Sequence, residues 1–86
     1  MARLPVLSSG ELIKVIEQQG FRVIRQRGSH IVLQKRTAET TTTTVVPNHK
    51  ELAPGTLRSI LKRTGISAED LLRLLTVLIG AMPRLW

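Results

Sequence analysis

The chain contains no cysteine, which excludes a disulfide framework and every thiolate metal site. Aromatic side chains are almost missing too, with Phe21 and Trp86 the only ones present. A platform that stacks splayed RNA bases on ring faces therefore lacks its material. Carboxylates are few and scattered, six in 86 residues. A two-carboxylate nuclease site is hard to build from them, and no His/Cys/carboxylate cluster has metal-ligand spacing. Glycine-rich phosphate loops of the P-loop or dinucleotide type are absent as well. Neither a metal nor a cofactor is expected. Long apolar runs are also wanting. Leu71 to Met82 is interrupted by Arg73 and closed by Pro83 and Arg84, well short of the roughly 20 residues of a membrane span. The first ten residues, with Arg3 and Pro5, do not read as a secretory signal. The expectation is a cytoplasmic protein without a membrane partner.

What the chain does have is positive charge. Thirteen Lys and Arg against six Asp and Glu leave +7 at neutral pH. That balance suits a polyanion, most commonly a phosphate backbone. A solvated basic surface, an anionic membrane or an acidic protein partner are the competing readings of the charge. The length implies one domain over residues 1–86 with a thin stability margin.

Leu7-Ser8-Ser9-Gly10-Glu11-Leu12 predicts a helix start, with Ser8 as N-cap and Glu11 completing a capping box. Leu12, Ile13, Ile16 and Gln19 follow at helical spacing, and Gly20 ends the helix. The period then changes. Residues 21–26 and 30–35 are strand candidates around Arg27-Gly28-Ser29, a hairpin turn. In the second strand Ile31 and Leu33 should face a core, leaving His30, Val32 and Gln34 on the opposite face. A third strand is expected from Thr42 to Val46, and Pro47 to Ala53 as a loop. Pro54 opens a second helix with a Leu57–Ile60–Leu61 stripe that Gly65 ends. Ser67 and Asp70 cap a third, carrying Leu71, Leu72, Leu74, Leu75 and Leu78. The order α-β-β-β-α-α implies an α+β fold, a three-stranded antiparallel sheet with helices on one face.

Gly28-Ser29-His30 is the leading chemical candidate. An ordinary imidazole has a pKa near 6.5, so it both takes and gives protons at neutral pH. Cleavage of RNA by a neighbouring 2′-hydroxyl needs a base there and an acid at the departing oxygen. His30 should stand exposed at the hairpin mouth beside Arg25, Arg27 and Arg36, whose guanidiniums can hold phosphates. A surface histidine that merely starts a strand is the competing reading. His49, before the second helix and next to Lys50, is a possible second acid or base, or equally a loop residue. Arg58 and Lys62, four apart on the second helix, form a basic face for phosphates or simply for water.

In this order and spacing, Gly20-Phe21, Gly28-Ser29-His30, Val46-Pro47-Asn48-His49-Lys50-Glu51-Leu52 and Pro54-Gly55-Thr56-Leu57-Arg58-Ser59-Ile60-Leu61 resemble the HicA (YcfA-like) toxin family. The resemblance runs from about Ser8 to Leu75. It implies a double-stranded-RNA-binding-domain-like α-β-β-β-α fold, to which the third helix read from Ser67 and Asp70 is a short C-terminal addition. It also implies metal-independent cleavage of mRNA, held in check by a HicB-type antitoxin. The family's catalytic histidine follows the Gly-Ser pair and maps onto His30. Arg25, Arg27, Ser29, Arg36, Lys50, Arg58 and Lys62 are the expected RNA contacts. A non-catalytic double-stranded-RNA-binding-like module and a basic protein-interaction domain are the alternatives. The extension 76–86 lies past the family's usual end, and its Val77, Leu78, Ile79, Met82, Leu85 and Trp86 are expected to lengthen the third helix and cover core, or else to expose a surface for an oligomer or the antitoxin.

Overall fold

The computed structural model describes residues 3–86; Met1 and Ala2, the start of the expected domain, lie outside the described residues. Helix α1 spans Ser9–Gln18, followed by strands β1 (Arg22–Arg27), β2 (His30–Arg36) and β3 (Thr41–Pro47), then α2 (Pro54–Thr64) and α3 (Ala68–Ile79). The sheet is antiparallel in the order β1-β2-β3, so the fold is α+β with the expected succession of elements. The additional C-terminal helix is not short: its twelve residues make it the longest of the three.

The helix ends follow from local chemistry. The Ser8 hydroxyl accepts the Glu11 N–H at 3.2 Å, and the Glu11 carboxylate accepts the Ser8 N–H at 2.9 Å, closing the capping box. Ser67 does the same for the Asp70 N–H at 3.0 Å. The β1–β2 turn needs Gly28, whose φ is +57°, while Ser29 stays at negative φ. Those signs are the ones a type II′ hairpin turn requires, with glycine first.

Packing sorts the sheet into two faces. Leu33 and Val46 are buried against Leu12, Val15 and Ile16 of α1, Leu57, Ile60 and Leu61 of α2, and Leu71 and Leu75 of α3. The helices thus cover one face and leave the other open. In α1 it is Val15 that fills the stripe; Gln19 is the exposed C-cap, contrary to the helical position expected for it. Strand β3 also runs one residue further at each end than expected, taking in Thr41 and Pro47. Proline is tolerated there because β3 is an edge strand and Pro47 ends it.

The C-terminal extension overturns the expectation that it covers core. Gly80 ends α3 in the left-handed conformation. Val77 and Met82 are 74% and 76% exposed, and Leu78, Ile79 and Trp86 remain about two-fifths exposed. The backbone instead turns back to the N-terminal segment. Val6 N–H donates to the Arg84 carbonyl at 2.6 Å, Trp86 N–H to the Leu4 carbonyl at 2.9 Å, and Pro5 faces Leu85 in a single bridge. Among the described residues no helix is long and apolar enough to cross a membrane.

Candidate functional site

His30 opens β2 and is exposed. Its cross-strand partners are Arg27 in β1 and Pro47 in β3. Since Leu33 points into the core, alternation along β2 turns His30, Val32, Gln34 and Arg36 toward the open face. Val32 is nevertheless buried, because Arg25 and Val45 flank it on the neighbouring strands.

Strand β1 reaches that face by an irregularity. Val23 pairs with Leu33 and Arg25 with Val32, so Ile24 is an extra residue without a partner, a β-bulge. In an unbroken strand, Arg22 would face opposite to Arg25 and Arg27. The bulge resets the alternation, and Arg22, Arg25 and Arg27 all share the open face with His30. The spacing of three and then two between these arginines fits a regular strand as well as a bulged one, and Arg22 is the residue that the sequence reading missed.

The three strands carry four arginines on this face and no Asp or Glu anywhere. None of those arginines takes part in an ion pair among the described residues. Unpaired guanidiniums on a surface without carboxylates attract anions.

The loop after β3 is fastened to the same end of the sheet. Asn48 N–H donates to the Ser29 carbonyl at 2.6 Å, continuing the ladder past His30 and Pro47. From below, the Ser9 hydroxyl accepts the His49 N–H at 2.5 Å. The same hydroxyl lies 2.7 Å from the Pro47 carbonyl and 2.8 Å from that of His49, either of which can take its single hydrogen. Ser9 is buried, and its own N–H also donates to the His49 carbonyl at 3.0 Å. His49 and Lys50, both exposed, are thereby held next to the strand end that carries His30.

Two expected groups do not join this constellation. Arg36 lies at the opposite end of β2, paired with Thr41. Six residues at about 3.3 Å each put it roughly 20 Å from His30, so it does not stand beside the imidazole. Arg58 and Lys62 belong to the helical layer. They line a separate cavity of about 420 Å³ with Leu4, Leu61, Gly65, Ile66, Ser67 and Ala68. Arg63, on the same helix, is engaged by the Thr43 carbonyl at 2.9 Å.

Fold and site together define a small basic α+β domain presenting arginines and one histidine on an uncovered sheet. The family model described as the HicA toxin of bacterial toxin–antitoxin systems matches residues 9–66, well over half of the chain, and the chain belongs to that family. The match takes in α1, the whole sheet and α2, and stops before α3. No curated protein and no solved structure matches the chain.

Proposed function

We propose that this toxin is a metal-independent endoribonuclease that cleaves mRNA through His30, and that a HicB-type protein is its antitoxin. The observation that carries the reading is the exposed imidazole paired across the hairpin with Arg27, on a sheet face that holds arginines and no carboxylate. A scissile phosphate seated against Arg25 and Arg27 would have its negative charge balanced as it rises. His30 then takes the proton of the adjacent 2′-hydroxyl. The oxygen attacks phosphorus, the bond to the 5′ oxygen breaks, and a cyclic phosphate and a free 5′-hydroxyl result. The leaving oxygen needs a proton, and His49, whose backbone N–H is held at the same strand end by Ser9, is the candidate donor. Ser29 and Lys50 would add contacts to neighbouring phosphates, while Arg58 and Lys62 on the helical layer would contribute long-range attraction.

The test is induced expression of wild type and His30→Ala, reading growth and RNA integrity together. Because His30 is exposed, the variant keeps its fold and its RNA affinity. It loses cleavage by about 10²- to 10⁴-fold, the contribution of one acid–base group, and no longer arrests growth. Full activity in His30→Ala, or cleavage that stops in excess chelator, would refute the mechanism. RNA that binds but stays intact with the wild type would leave a binding module in its place.

A further inference from the structure

At the end of the open face away from His30, Arg22, Val23, Ile24, Gln34 and Arg36 line a hollow of about 420 Å³. We propose that this hollow is a second phosphate subsite. It would grip the RNA backbone several nucleotides from the bond being cut. The inference rests on the ribonuclease reading above and adds a distinct place on the protein to it.

Four observations support the assignment. First, the bulge at Ile24 puts Arg22 on the open face directly across from Gln34, its register partner. Bulges re-aim side chains in this way beside binding sites. Second, the hollow is internally organised. Gln34 Nε2 donates to the Thr43 hydroxyl at 3.2 Å, and Gln34 Oε1 accepts from Arg36 Nε at 3.2 Å. That chain across the sheet orients the Arg36 guanidinium through its Nε and leaves its terminal amino groups free. Such a fork is the geometry that grips phosphate oxygens in pairs. Third, neither Arg22 nor Arg36 forms an ion pair among the described residues. The acid nearest Arg36 in sequence, Glu39, sits in the β2–β3 turn, which is closed by Thr37 and Thr40 bonding each other. Two cations flanking one amide repel each other until an anion arrives. Fourth, the spacing suits a strand laid along the sheet. Gln34 is four residues from His30 and Arg36 six, roughly 13 and 20 Å along β2. One RNA chain engaged at both ends therefore spans several phosphodiesters, which sets a minimum substrate length.

Uncleavable 2′-O-methyl oligoribonucleotides allow the wild-type protein to be used for the test. Fluorescence anisotropy would compare a trinucleotide and a dodecanucleotide, with wild type and with Arg22→Gln/Arg36→Gln. Both residues are exposed, so a thermal melt should show the double variant folded like wild type. The expected result is tighter binding of the dodecamer by wild type. The double variant loses about 10- to 100-fold on the dodecamer, and its salt dependence falls by roughly 1.4 in log–log slope, the share of two phosphates on a single strand. In parallel, inorganic phosphate should shift the Gln34 side-chain amide resonance in the wild type and not in the double variant. A double variant that matches wild type on the dodecamer in affinity and slope would overturn the subsite while leaving the ribonuclease reading intact. Failure of wild type to bind either oligonucleotide would overturn that reading itself. A phosphate-induced shift at Gln34 alongside that failure would mean the hollow takes a free anion and not RNA.

Discussion

Replacing Ser9 by alanine removes one oxygen from the first turn of α1, yet the main effect should appear forty residues away. That oxygen accepts the His49 N–H and serves the carbonyls of Pro47 and His49. The His49 carbonyl keeps the Ser9 N–H as a donor in the variant, but the His49 N–H loses its partner. A buried donor left unpaired costs about 1–3 kcal/mol. The site is part-buried, so water reaches the orphaned groups in part, and a loss of about 1–2 kcal/mol is expected. For a domain of this size that lowers Tm by roughly 5–15 °C. Thermal melts of Ser9→Ala and Ser8→Ala make a sharp comparison. Ser8→Ala breaks the capping box and costs about 1 kcal/mol, but it leaves the loop fastened. Amide exchange should therefore separate two variants of similar stability: protection of the His49 N–H is lost in Ser9→Ala and kept in Ser8→Ala. A Ser9→Ala protein that melts with wild type and keeps His49 protected would refute the clamp.

The other expectations are briefer. Leu33→Ala empties a fully buried position between sheet and helices. It should cost about 2–5 kcal/mol, a large share of the roughly 4–13 kcal/mol that a domain of this size holds; a denaturant titration measures it. Gly28→Ala meets no atom within 4 Å, so its penalty comes from the positive φ alone. About 1–2 kcal/mol is expected, read from the same titration, and a larger loss would point to a steric role. Deleting residues 82–86 removes the hydrogen bonds of Arg84 and Trp86 to the N-terminal segment and the contact of Arg3 with the Trp86 carbonyl. At about 1 kcal/mol for each bond the loss is roughly 2–3 kcal/mol, and calorimetry would register it as a lower Tm.

The features legible in the sequence are those decided within a few residues of chain. Ser8 with Glu11, Ser67 with Asp70, and the glycines at 28 and 65 act through bonds or torsions spanning one turn, so their patterns locate helix ends and the hairpin. The period change after Gly20 separates α1 from the sheet because burial on one face demands it. Gly28-Ser29-His30 could likewise be placed at a hairpin mouth, with its histidine on the face away from Leu33.

Tertiary pairing decided the rest. Whether Arg25 and Arg27 share a face with Arg22 depends on one unpaired residue, Ile24, and only β2 can show which residue goes unpaired. Arg36 is six residues from His30 in sequence but about 20 Å away in space, because an extended strand keeps its two ends apart. Ser9 has no assignable role in the sequence, and gains one only when the loop carrying His49 folds over its hydroxyl. The apolar tail looks like core material, yet backbone bonds to the N-terminal segment hold it at the surface, with Val77 and Met82 facing water. Local chemistry set where each element begins and stops; contacts between residues far apart in the chain chose which side chains meet.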